Sequence, residues 1–244
     1  MIDWMDEYSA PAFPATDTAL DNPNGLLAAG GRLSPEWLLK AYPLGIFPWY
    51  EDDSPILWWS PAPRAVITPT SFRIPRTVRK LLKRSRATIT CNQAFDAVVE
   101  HCATIQRTDE DGSPCHGTWI TTDMQQAYKQ LNRAGPAISI EYWNAEQQLA
   151  GGFYGVLLGP VFFGESMFSI DSNASQLAFA AAAPCLFKQG VRLIDCQMNT
   201  QHMARFGLIE YTRQQFELHL RQKKLSQPYA HSRLPTLIHS GPDT

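Results

Sequence analysis

Between residues 137 and 169 the chain is a succession of apolar runs interrupted by turn residues. Residues 137–143, 148–158 and 161–169 each read as a strand, and Leu158-Gly159-Pro160 separates the last two. Separations this short favour antiparallel neighbours. A helical pattern covers 173–188, although Pro184 is expected to kink or break it. Gly190 ends that segment. Residues 191–196 form a short apolar strand, followed by a brief helix near 200–206, a strand over 208–212 and a helix over 213–224. Upstream, Ser34 followed by Pro35 marks a helix start, and that helix should stop near Pro43. Residues 87–91 read as a strand, with Asn92 capping a helix to about Ile105. Thr122 caps a further helix that stops at Gly135.

The order β-β-β-α-β-α-β over 137–224 predicts an α+β fold of the acetyltransferase-like (GNAT-like) kind, with a mixed, largely antiparallel sheet flanked by helices. Residues 1–70 are rich in Pro, Gly and Trp and predict a smaller N-terminal α/β lobe. The expected division is a lobe over 1–65, a catalytic domain over 66–230 and an extended tail over 231–244. The chain has 244 residues with 44% hydrophobic content, enough to bury a sizeable core. No uninterrupted apolar stretch is long enough to span a membrane. The first residues carry acids and no base, which argues against a signal or transit peptide. Five widely spaced cysteines with no C-x-x-C pair predict reduced thiols in a cytoplasmic protein, without a zinc site.

A net charge of −2 conceals an asymmetry. Arg73, Arg76, Arg79, Lys80, Lys83, Arg84 and Arg86 fall within fifteen residues that hold no acid. Residues 75–84 read as a helix with Val78, Leu81 and Leu82 on one face and Arg76, Arg79, Lys80, Lys83 and Arg84 opposite. A solvated face is the common reason for such a pattern. The absence of acids favours contact with a polyanion backbone here.

Four features are candidates for chemistry. Asp195 and Gln197 lie two apart at the end of a buried strand, so alternation puts both on one face. From spacing alone the commoner reason for such a pair is a solvated strand end or a helix cap. Glu165 sits inside the apolar run Val161–Phe168, where a carboxylate needs a partner or a task. Tryptophans 49, 58, 59 and 119 can stack on bases or fill a core. The basic helix is the fourth. Cys196 reads as a buried structural thiol, on the strand face opposite Asp195 and Gln197. No phosphate-binding glycine loop and no G-x-S-x-G elbow is present. The loop typical of acetyl-CoA enzymes is missing too, which points away from an acetyl-CoA donor.

Several stretches together resemble the leucyl/phenylalanyl-tRNA–protein transferases. They are Pro23-Asn24-Gly25-Leu26-Leu27-Ala28, Gly45-Ile46-Phe47-Pro48-Trp49-Tyr50, Pro55 to Pro61, Gly117-Thr118-Trp119-Ile120, Phe163 to Ser169, Asn173-Ala174-Ser175 and Leu193-Ile194-Asp195-Cys196-Gln197. The resemblance implies an aminoacyltransferase that moves leucine, phenylalanine and, less well, methionine from tRNA to proteins beginning with Arg or Lys, marking them for degradation. It implies an acetyltransferase-like catalytic domain, no cofactor and no metal. It also implies catalytic roles for Asp195, Gln197 and Glu165. Trp49, Trp119 and Tyr128 would surround the aminoacyl-adenosine end, Phe153 and Phe162 would wall the amino-acid pocket, and Ser166 would join the substrate contacts. The basic helix would meet the tRNA backbone. Phe153 stands where some relatives have Met, Ala182 where some have Phe, Gln176 where Lys is common and Arg32 where an acid is usual. The loop 107–116 looks longer than usual.

An aminoacyl ester is already activated, and the attacking α-amine has an ordinary pKa of about 7.7–8.0. Positioning should therefore outweigh base catalysis. The expected roles are Gln197 orienting the amine, Asp195 holding Gln197 and favouring the developing positive charge, and Glu165 attracting the acceptor's cationic side chain. Two other readings are a peptidyltransferase acting on a cell-wall precursor, and an RNA-binding module that binds tRNA without transfer.

Overall fold

The computed structural model describes residues 2–106, 118–221 and 234–240. A small sheet comes first, from β1 (Asp3–Met5), β2 (Leu26–Gly30), β3 (Phe47–Pro48) and β4 (Leu57–Trp59), in the spatial order β1-β2-β4-β3. Helix α1 (Pro35–Ala41) lies between β2 and β3, and its N-cap Ser34 accepts a hydrogen bond from the Trp37 amide, as the sequence predicts. Phe13 packs edge-on against both Trp37 and Trp58, which fills this lobe with rings.

The large sheet begins with β5 (Arg64–Ile67) and continues with β6 (Thr88–Cys91), β7 (Ala137–Trp143), β8 (Leu149–Leu158), β9 (Val161–Ser169), β10 (Leu193–Asp195), β11 (Ile209–Tyr211) and β12 (Leu237–Ser240). Its order is β11-β5-β10-β9-β8-β7-β6-β12. The predicted meander is present, since β7, β8 and β9 pair antiparallel in sequence. Strands β9 and β10 run parallel, and the helical crossover between them is what permits that pairing. The fold is thus a mixed α/β arrangement around a mixed sheet.

Helices cover both faces. On one lie α2 (Arg76–Arg84) and α5 (Ala174–Lys188), packed on Ile138, Ile140, Phe153 and Phe162. On the other lie α3 (Phe95–Thr104) and α4 (Thr122–Ala134), in a core that also takes Trp37, Trp58 and Leu38 from the small sheet's lobe. Short helix α6 (Gln201–Ala204) and α7 (Arg213–Arg221) follow β10 and β11.

Four expectations need correction. Asn92 does not cap α3: it has φ 57° and precedes the helix, whose N-cap Ala94 offers no side-chain acceptor. Buried Glu141 on β7 accepts instead from the Gln93 and Ala94 amides. Helix α5 runs through Pro184 without a break. Pro184 is on the exposed side, so the hydrogen bond lost with its N–H is lost on the solvent face, and the buried face of the helix stays packed. Leu81 is 43% exposed, so Val78 and partly buried Leu82 anchor α2 without it. The cap of α4 is Thr121, whose side chain accepts from the Met124 amide, and not Thr122, which is the first helical residue. Leu237–Ser240, within the expected extended tail, is extended and pairs with β6. The loop 107–116 lies outside the described residues.

Candidate active site

The parallel pairing of β9 and β10 covers Val161–Phe163 against Leu193–Asp195 and stops there. Strand β9 continues to Ser169, whereas the other chain turns off at Gln197 with φ 55°. A cleft opens between the diverging strands.

Asp195 is the last residue of β10 and is fully buried. Its partner is Arg64, equally buried, with Nε 2.8 Å from Oδ1 and Nη2 2.7 Å from Oδ2. Strand pairing explains the meeting. Asp195 stands opposite Val66, and Arg64 lies two residues away on the same face. The guanidinium rests 4.9 Å from the Phe47 ring centroid and 4.7 Å from that of Phe216. Removing either charge would strand the other in the core, at a cost of about 3–5 kcal/mol. Asp195 Oδ1 also accepts from the main-chain N–H of Gln197 at 2.9 Å. Gln197 is therefore beyond the strand in a left-handed turn, not on the strand face beside Asp195 as alternation predicts. Its Nε2 donates to the Gly164 carbonyl at 2.5 Å. A carbonyl can only accept, so the amide oxygen is the end left for a substrate.

Glu165 is placed by a β-bulge. Tyr154 stands opposite Ser166 and Gly155 opposite Gly164, which leaves Glu165 as the extra residue. The bulge resets alternation, and so Phe163 and Phe168, five apart, enter the same core. Gly155 permits the close approach, because a Cβ there would lie 2.2 Å from the Phe163 carbonyl oxygen. The Glu165 carboxyl meets two phenols: Tyr42 donates to Oε1 at 2.7 Å and Tyr128 to Oε2 at 2.8 Å. The two hydroxyls also contact each other. Burial pushes Glu165 up to about 8, against the opposing pull of both tyrosine hydrogen bonds. Burial and the Glu165 charge hold both phenols well above the usual tyrosine range.

Two cavities meet at this point. The larger, about 740 Å³, is walled by Phe153, Phe162, Phe179, Ile194 and Met203. The smaller, about 360 Å³, is lined by Phe47, Trp49, Trp119 and Met198. Glu165, Ser166, Cys196 and Gln197 border both.

The structure thus brings Asp195, Gln197, Glu165, Trp49, Trp119, Phe153, Phe162 and Ser166 around one double cleft. Tyr128 is not in either wall; it is fully buried and reaches the cleft through Glu165. Asp195 is also displaced from its expected part. With Arg64 across both oxygens it is poorly placed to favour a new positive charge, and it holds Gln197 by the main chain. Cys196 has its thiol pushed well up by burial and by neighbouring Asp195, which suits an inert side chain. Arg76, Arg79, Lys80, Lys83 and Arg84 are all exposed on α2 and line neither cavity. Among the described residues no cluster of His, Cys, Asp and Glu could hold a metal ion, and no helix is long and apolar enough to cross a membrane.

Sequence reasoning missed Arg64 and Tyr42. Arg64 heads the apolar run Ala65-Val66-Ile67, the same signal that singled out Glu165. Tyr42 offers no such signal.

A family model described as leucyl/phenylalanyl-tRNA protein transferase matches residues 66–221, and one described as the N-terminal domain of that protein matches residues 31–62. Three similar relatives are each described as leucyl/phenylalanyl-tRNA–protein transferase. The one from Saccharophagus degradans is 47% identical over 92% of this chain and 89% of its own. That from Azoarcus sp. is 48% identical over 88% of each. That from Lawsonia intracellularis is 50% identical over 84% and 86%. A solved structure described as L-PGS from Bacillus licheniformis overlays 63% of this chain and 48% of that one at 10% identity, with a TM-score of 0.39, a likeness too slight to bear on the fold.

Proposed function

We infer the reaction from one premise, that the chain belongs to the leucyl/phenylalanyl-tRNA–protein transferase family. It is an aminoacyltransferase, a leucyltransferase in the broad sense, passing an amino acid from aminoacyl-tRNA to the N-terminus of a protein. In our reading the donors are leucine, phenylalanine and, less well, methionine. The acceptors begin with Arg or Lys, and the product is marked for degradation in the cytoplasm. No cofactor enters this reading, since the ester bond already carries the activation. The catalytic unit corresponds to residues 66–230, and the divergence of β9 from β10 supports an acetyltransferase-like description of it.

The observation that carries the reading is the junction of two unlike cavities on Glu165 and Gln197. The phenylalanine-lined cavity suits the donor side chain, and its shape discriminates modestly, at about 1–3 kcal/mol per methylene. Trp49 and Trp119 suit the terminal adenosine, because indoles stack on any base. The amide oxygen of Gln197 accepts a hydrogen bond from the acceptor's amine and orients its lone pair to the ester carbonyl. Nitrogen–carbon bond formation expels the tRNA ribose oxygen, and the amine proton leaves with it. Glu165 faces the cationic side chain of the acceptor. The exposed cations of α2 serve the tRNA backbone.

Single-turnover transfer of labelled phenylalanine from tRNA to a peptide starting with Arg tests the assignment. Gln197→Ala and Asp195→Asn should each slow transfer by about a hundredfold or more, the scale of a lost positioning contact. Near wild-type rates in both, with normal tRNA binding, would overturn it.

A further inference from the structure

Asp195 has little left to give a substrate. Both oxygens face Arg64, and Oδ1 also accepts the Gln197 amide. What this carboxylate fixes is the main chain of Gln197 at φ 55°, a conformation disfavoured for a residue with a Cβ. Main-chain bonds to Ala65 hold the segment on either side, with Cys196 N–H donating to the Ala65 carbonyl at 2.9 Å and Ala65 N–H donating to the Gln197 carbonyl at 3.2 Å. The Asp195 carboxylate adds the bond on the Gln197 N–H itself, which sets the orientation of that peptide within the turn. The acceptor is itself fixed by Arg64, whose fork spans both oxygens from the neighbouring strand. The fork is gripped in turn between Phe47 and Phe216. Phe47 directly precedes Pro48 and Trp49, which line the smaller cavity.

We propose that Arg64 is a positioning residue for aminoacyl transfer: by fixing Asp195 it fixes the left-handed turn that presents the Gln197 amide oxygen to the cleft. It also ties that turn to the Trp49 wall through Phe47. Arg64 touches no substrate and acts through two intervening contacts. Lysine cannot replace it, since an ammonium cannot make the two parallel bonds that the guanidinium makes to both oxygens. The proposal rests on the transfer reading above.

The test uses the full-length protein and steady-state and single-turnover transfer to an Arg-starting peptide. Arg64→Lys keeps the charge and loses the fork. It is expected to lower kcat about tenfold or more, as small misplacements of reacting groups do, while KM for aminoacyl-tRNA stays within about twofold. Val99→Ala, a buried site on α3 away from the cleft, supplies a control that loses stability without losing kcat. Arg64→Lys combined with Asp195→Asn should transfer no slower than Asp195→Asn alone, because both act along one path. A folded Arg64→Lys protein with wild-type kcat overturns the inference, and so do additive losses in the double variant. Should Arg64→Lys fail to fold, Phe216→Leu loosens the grip on the guanidinium and leaves the pair intact. It should then show the same lowered kcat with unchanged KM, and a wild-type kcat there overturns the inference equally. Gln197→Ala separates the two claims. If it is slow while Arg64→Lys is not, the transfer reading stands and Arg64 falls; if it transfers at the wild-type rate, the reading of Gln197 fails first.

Discussion

Glu165 concentrates the chemistry that a single residue can carry. Its carboxyl sits at about 8 because burial outweighs two phenol hydrogen bonds. The charged form therefore appears as pH rises through that value, and with it the attraction for an acceptor's arginine, which stays cationic throughout. KM for an Arg-starting peptide should fall from pH 7 to pH 9, and in Glu165→Gln it should be flat across the same range. Tyr42→Phe removes a bond that favours the carboxylate and should move the limb to higher pH. Reading KM separates this titration from that of the attacking amine, which acts on kcat; a pH-independent KM in the wild-type protein would refute the assignment. The shift also bears on folding, with a definite sign. The folded state holds a proton that the unfolded chain releases near 4.5, so this group's contribution to stability falls between about pH 4.5 and 8. Glu165 was legible because a carboxylate inside an apolar run is conspicuous. Its aim was not, since the bulge depends on Gly155 of another strand. Arg64 was visible by the same criterion, but its meaning lies wholly in the register of β5 against β10.

At the scale of elements, local pattern predicts well wherever the pattern is what decides. Strands β7 and β9 and helix α4 fall at their expected places because alternation, turn residues and Gly135 act within each segment. The start of α3 was illegible for the opposite reason. Its capping acceptor, Glu141, is 47 and 48 residues away from the amides that it receives. Glu141 also takes hydrogen bonds from Thr90 and Ser139. Glu141→Ala would leave two amides and two hydroxyls without that acceptor, costing upwards of about 2 kcal/mol. The midpoint of thermal unfolding should drop by at least about 4 °C for a chain of this size; a shift under a degree would show that water replaces the carboxylate at no cost. Helix α2 makes an electrostatic prediction instead. With Val78 as its buried anchor, Arg76, Arg79, Lys80, Lys83 and Arg84 remain at the surface. Arg76→Ala with Lys83→Ala should weaken tRNA binding and reduce the slope of log K against log salt by about one to two units. An unchanged slope would move the tRNA elsewhere on the protein.

At the scale of the molecule, the two sheets are not independent. Trp37, Leu38 and Trp58 of the N-terminal lobe lie in the same core as Phe163, Leu193 and Phe216 of the large sheet's surroundings. The smaller cavity is likewise built from both, with Trp49 on one wall and Glu165 and Gln197 on another. A composition shift near residue 65 marks where one sheet gives way to the next, but it says nothing about whether the two share a core. A shared core predicts cooperative unfolding. Five of the seven tryptophans, at 4, 37, 49, 58 and 59, precede Arg64, so tryptophan fluorescence reports mainly on the N-terminal lobe. Far-ultraviolet circular dichroism reports mainly on the large sheet and its helices. The two should give one midpoint in urea. Leu38→Ala, which empties a fully buried site in the N-terminal lobe, should cost about 2–5 kcal/mol and lower both midpoints together. Leu193→Ala should do the same from the other side. If Leu38→Ala moved the fluorescence transition alone, the lobes would unfold separately, and the wall carrying Trp49 could swing away from Gln197 without disturbing the sheet. Coincident transitions mean that the donor's wall and the residue that meets the acceptor's amine are held in register by one and the same folding event.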